Sequence, residues 1–248
     1  MIARGAVVPH APVLLEAIQP SLDEGRRLRK AISELDFSEA EAVVIVSAHG
    51  DRAGIYGRVE GSLRGFGIEG LEVERESHAE LASAAADAWG HSQLDAPADF
   101  GIVVPLLLGV GEGLPVVAAT LPETTGPRAA PRRDALDAAR TLSKALREVA
   151  DGCDVAIVAT AHASAGLSDR APLTNVPGAV DVDRELVAAL EEDPSLVEGL
   201  LVRLHRTGDA CGAGPLAVIA HLFAGWSSEG VTYEAPYGVG YLVGQWKG

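Results

Sequence analysis

The sequence predicts one α/β domain over residues 1–248, a three-layer sandwich around a central mixed β-sheet. Two observations carry this. Short apolar runs rich in β-branched residues, such as Ile2–Val8, Ala42–Ala48 and Asp154–Ala161, stop at turn residues and read as strands buried on both faces. Between them lie stretches of helical character, and strands alternating with helices build a sheet covered by helices. No repeat, low-complexity segment or composition shift divides the 248 residues, a length ample for a sizeable core.

In chain order, Ile2–Val8 is the first strand, ended by Pro9-His10-Ala11-Pro12 because neither proline extends a central ladder. Residues 13–35 are mostly helical, with the main helix starting at Pro20 and Gln19 or Ser21 near its cap. Ala42–Ala48 is the second strand. Ala53–Val59 and Leu71–Glu74 suit a hairpin with a glycine-rich turn. Ser77–Gly90 is a helix, with Ser77 and Glu80 as a capping box and Gly90 as its stop. Residues 99–109 are apolar around Pro105, and both a strand and a helical turn fit them. Pro115–Leu121 is a strand, 122–131 a proline-rich loop, Pro131–Val149 an amphipathic helix and Asp154–Ala161 a strand. Residues 163–178 are too polar for core and too long for a simple turn, which marks them as site-forming. Val182–Glu192, Ser195–His205 and Leu216–Trp226 read as helices, with a glycine-rich turn at Gly208–Gly214. Val231–Glu234 and Gly240–Trp246 close the chain as a hairpin.

Charge and composition exclude several functions. Lys plus Arg is 20 against 35 Asp plus Glu, a net −15 that argues against nucleic acid or an anionic membrane as partner. The two cysteines, Cys153 and Cys211, form no CxxC pair and are too few for a disulfide framework, so a reduced, cytoplasmic setting is expected. No uncharged apolar run reaches the ~18 residues of a membrane span, and the first residues show no signal peptide.

Three predicted strands end in histidine: His10, His49 and His162. Ligands of open α/β sheets bind beyond the carboxyl ends of the strands. Consecutive strands of a βαβ unit are usually neighbours, which places His10 and His49 about 5–10 Å apart, near enough to share a metal. A third ligand is expected in the turn Gly208-Asp209-Ala210-Cys211-Gly212, where Asp209 would complete a two-histidine, one-carboxylate set and Cys211 would supply a thiolate. The competing reading makes Asp209 a helix cap and Cys211 a small buried apolar residue. His162 is the candidate acid/base, and Asp99 and Glu234 are further polar candidates for the cleft.

These pieces resemble the class III extradiol ring-cleavage dioxygenases of the LigB type, together with their Memo-like relatives. The resemblance rests on Val8-Pro9-His10-Ala11-Pro12, Val44-Ile45-Val46-Ser47-Ala48-His49-Gly50, Asp99-Phe100-Gly101-Ile102-Val103-Val104-Pro105-Leu106 and Thr160-Ala161-His162-Ala163-Ser164. Asp181-Val182-Asp183, Cys211-Gly212-Ala213-Gly214-Pro215 and Tyr237-Gly238-Val239-Gly240-Tyr241 complete it. It implies a metal at the edge of a mixed sheet, with His10 and His49 as ligands of Fe(II), Zn or Cu being further options. It implies His162 as acid/base, a catechol or aminophenol-like aromatic substrate, O2 as co-substrate, and a homodimer as an assembly common among members. Two positions depart from the dioxygenases. Phe100 stands where they commonly carry a second catalytic histidine, which leaves it a substrate-binding role, and Ala210 stands nearest the glutamate ligand of some branches. Cys211-Gly212-Ala213-Gly214-Pro215 resembles instead the Cys-Gly-x-x-Pro of the Memo-like branch. The resemblance therefore supports two further functions beside ring cleavage: a Memo-like metal-binding or redox protein, and a non-catalytic binding protein on the same fold.

Overall fold

The structure is a computed structural model that describes all residues except 20–22, 24, 125–130, 209 and 210. The strands are β1 (Ile2–Val8), β2 (Ala42–Gly50), β3 (Gly54–Tyr56), β4 (Val59–Ser62), β5 (Glu72–Arg75), β6 (Gln93–Leu94), β7 (Val116–Pro122), β8 (Val155–Thr160), β9 (Ser227–Glu234) and β10 (Tyr241–Lys247). The helices are α1 (Arg26–Ser33), α2 (Ala79–Trp89), α3 (Phe100–Leu107), α4 (Arg132–Val149), α5 (Ala179–Glu192), α6 (Leu201–Gly208) and α7 (Ala213–Leu222).

Eight strands form one mixed sheet in the order β6-β3-β7-β2-β8-β1-β10-β9. The central β7, β2, β8 and β1 run parallel, and β10 and β9 add antiparallel strands at one edge. The alternation along β2 shows why its run is apolar throughout. Ala42, Val44 and Val46 enter one core with residues of α2, α4, α5 and α7, while Val43 and Ile45 enter the other with Leu28 of α1 and Ile102 and Leu106 of α3. Each such valine or isoleucine, fully buried, contributes about 1.5–3 kcal/mol. Helices on both faces give the three layers expected from the sequence. No helix among the described residues is long and apolar enough to cross a membrane.

Several local expectations change. β1 and β2 are not neighbours, because β8 lies between them and pairs with both. Tertiary pairing overrides the rule that consecutive parallel strands adjoin. The stretch 53–59 is not one arm of a hairpin. β3 joins the main sheet against β7, and β4 forms the separate pair with β5. α1 begins at Arg26, after Gly25 in the left-handed region, whereas the expected start at Pro20 and the Ser21 cap lie outside the described residues. α2 is capped by His78, whose ring accepts from Leu81 N, rather than by Ser77; Gly90 ends it as expected. Residues 100–107 resolve as helix, with Asp99 as the cap and Pro105 inside it.

Candidate metal centre

The register of the three central strands brings their histidines together. Val8 pairs with Thr160, and Val46 with Ala159, so β1, β8 and β2 end nearly level. His10 and His162 each follow two residues beyond their strands' ends, and His49 is the next-to-last residue of β2. The middle strand therefore carries His162, with His10 and His49 on either side.

Above these ends, the ring nitrogens converge. His49 Nε2 is 3.0 Å from His10 Nε2, and Cys211 Sγ is 3.3 Å from the same His10 nitrogen. Ligand atoms of His10, His162 and Cys211 all lie within 4.8 Å of one another, so these three form a group able to hold a metal ion. Metal–nitrogen bonds of about 2.0–2.1 Å and metal–sulfur bonds of about 2.3 Å put adjacent donors roughly 3–3.5 Å apart. The two shortest contacts, both to His10 Nε2, fall in that range, so His10 and Cys211 stand at the spacing of donors to one ion.

Cys211 arrives at the start of α7 because Gly212 can approach the chain after β8. A Cβ at Gly212 would stand 2.7 Å from the His162 carbonyl oxygen. The His162 ring is oriented by the same segment: its Nδ1 lies 2.7 Å from the Ala163 carbonyl oxygen. A carbonyl only accepts, so Nδ1 carries the proton and Nε2 presents a lone pair. Beneath it, the buried Asp183 carboxylate accepts from Ser164 N (3.0 Å), Ser164 Oγ (2.5 Å) and Tyr233 OH (2.7 Å), locking the loop to α5 and β9. On the other side, Glu123 Oε1 is 3.5 Å from His49 Nδ1. A carboxylate there favours the tautomer whose Nε2 is free for a metal.

Burial sets the charge state. It holds the His10 imidazole well below its ordinary range, and the neighbouring His49 and His162 add to this against a smaller opposing contact with the Thr160 backbone. Burial, then His162, lowers His49 to about 3. Both rings are thus neutral near pH 7, as metal ligation requires.

A cavity of about 360 Å³ opens over the cluster, lined mainly by apolar groups including Val13, Phe100, Ala165, Leu173 and Val239. The Phe100 ring centroid is 4.2 Å from that of His49 and 5.6 Å from that of His10. It occupies the cavity wall where the resemblance expects a histidine.

The other expected residues fall elsewhere. Asp99 accepts from Ser47 Oγ (2.6 Å), Gly101 N (2.8 Å) and Tyr56 OH (3.0 Å), and it lines a separate cavity on the far side of His49. Its carboxyl group, raised by burial, holds the first turn of α3 and so places Phe100. Glu234 does not line the histidine cavity. It pairs with Arg27 at 3.6 Å and lines a neighbouring recess with Arg170 and Tyr237, because Tyr241 and Val239, not Glu234, turn towards the cluster. Asp209 lies outside the described residues. Glu123 and the Ser164–Asp183–Tyr233 lock went unnoticed in the sequence, since neither has a local spacing that signals its partner. Set against known proteins, the chain matches no protein-family model, and no curated protein matches it.

Proposed function

We propose that this protein is a metal-binding redox protein of the Memo-like kind, holding one transition-metal ion with His10, His162 and Cys211, and with His49 beside His10. The observation that carries this reading is the Cys211 Sγ placed 3.3 Å from His10 Nε2. A thiolate in the place of a carboxylate shifts preference from Fe(II) towards copper or zinc. Bound copper would supply one-electron redox chemistry, and bound zinc a Lewis acid. The chain's own part is clear. Neutral imidazoles offer lone pairs, the cavity walls are mainly apolar, and His162 Nε2 keeps its lone pair because its Nδ1–H is tied to the Ala163 carbonyl.

O2-dependent ring cleavage of a catechol or aminophenol-like aromatic with Fe(II) is the second reading. It is favoured by the same His162 geometry and by the Phe100 wall of a cavity of about 360 Å³, suited to a small planar molecule. Anaerobic purification followed by titration with Cu(I), Zn(II) and Fe(II) separates the readings. One equivalent of copper or zinc, lost in His10→Ala and Cys211→Ala, is expected. Yellow ring-opened product from catechols with Fe(II) would establish the second reading instead. Absence of any stoichiometric metal would leave a non-catalytic binding protein on this fold.

A further inference from the structure

Tyr241 opens β10 and lines the histidine cavity. Only 7% of the residue is exposed, and it stands in the wall of that cavity beside His10, His49, His162 and Cys211. The fold aims this side chain with care. Tyr241 forms an isolated antiparallel bridge with His162. Gly240, just before it, accepts from Ala163 N at 2.7 Å and donates to Ser164 O at 2.8 Å. A Cβ at Gly240 would lie 2.3 Å from Asp183 Oδ2, so only glycine lets the strand pass this close. Tyr241 is therefore held in a set relation to His162 and shares the cavity wall with Cys211.

The histidine and cysteine donors face a metal, and the remaining walls are mainly apolar. Tyr241 brings a phenol, a hydrogen-bond donor, to this wall. We propose that Tyr241 is a ligand-binding residue whose hydroxyl donates a hydrogen bond to an oxygen of a small ligand seated at the metal, and so selects oxygen-bearing, anionic ligands over neutral nitrogen donors. An ordinary phenol keeps its proton at neutral pH and so acts as donor. This inference rests on the metal reading above, and its test separates the two.

The experiment uses the copper- or zinc-loaded full chain and Tyr241→Phe, with metal content measured before ligand titration. The probes are 4-nitrocatechol, an oxygen donor followed by its visible absorption, and imidazole, a nitrogen donor. Equal metal content, a roughly tenfold weaker 4-nitrocatechol affinity in Tyr241→Phe and unchanged imidazole affinity are expected, as for loss of one hydrogen bond to a charged acceptor. Tyr237→Phe, in the neighbouring recess, should leave both affinities unchanged. Equal metal content with equal 4-nitrocatechol affinity overturns the role of Tyr241, and so does an equal loss for both probes. A wild-type chain that takes up no metal overturns the metal reading, and this inference with it.

Discussion

Both ends of the central sheet carry a histidine beside a cysteine, and the two pairs serve different ends. At the carboxyl end, Cys211 is 3% exposed and faces His10 at 3.3 Å, with His49 a further 3.0 Å from the same nitrogen. At the amino end, Cys153 is only partly buried and lies 3.9 Å from His78 Nε2. His78 has already spent Nδ1, which accepts from Leu81 N at the start of α2, so in the neutral ring Nε2 carries the proton and offers no lone pair. Nearby, the N-terminal ammonium is paired with Asp154. The lower pair belongs to the fold, whereas the upper one has donors in excess of what the fold uses. Residue types alone do not make a candidate metal centre; the convergence of buried donors does.

The largest expected effect tests that contrast directly. His10→Ala or Cys211→Ala should weaken copper or zinc binding by more than about 100-fold, because each removes a ligand rather than a supporting group. Cys153→Ala should leave affinity unchanged, as read by competition against a chelator of known affinity. Comparable loss from Cys153→Ala would erase the distinction between the two ends.

Next comes the support beneath His162. Asp183→Ala strands the Ser164 and Tyr233 donors in a buried site, so a loss of about 2–4 kcal/mol in urea unfolding is expected. Asp181→Ala, which removes only an exposed pair with Arg184, should cost less than about 0.5 kcal/mol.

The pH dependence is gentler. His49 titrates at about 3 in the folded chain against an ordinary value of 6.5, so below 6.5 the unfolded chain binds more protons and stability falls as pH drops. The loss runs from about pH 6.5 towards pH 3 at up to roughly 1.4 kcal/mol per unit from this group. His10, held low by the same burial, adds to the slope. Denaturation of the metal-free protein between pH 7 and 4 measures it, and His49→Asn should flatten it; an unchanged slope would show that His49 is not neutralised by burial. A modest effect belongs to the amino end: His78→Ala should cost about 1 kcal/mol through the lost cap of α2 and leave metal affinity intact.

The architecture was largely legible in the sequence. β1 spans the expected Ile2–Val8, and β2, β7 and β8 differ from expectation by two residues or fewer at each end. Runs of β-branched residues that bury both faces leave little freedom for other readings. The segment 99–109 stayed ambiguous because a short apolar run looks alike as strand or helix. The Asp99 cap, which meets Gly101 N and Ser47 Oγ, decides for helix. The strands at 53–59 were misjudged because the partner of β3 is β7, some 65 residues distant, as Ile55 with Ala119 shows.

The site divides the same way. The sequence by itself determined that His10, His49 and His162 end apolar strands, since a strand's end is written in the few residues around it. Only the tertiary structure decided that β8 runs between β1 and β2 and carries His162 into the middle, that Cys211 reaches His10, and that Glu234 turns into another recess. It also decided that Tyr241 lines the cavity over the cluster. Strand order and helix docking are set by packing across the whole core, and no local pattern of residues records which distant group will arrive at a strand's end.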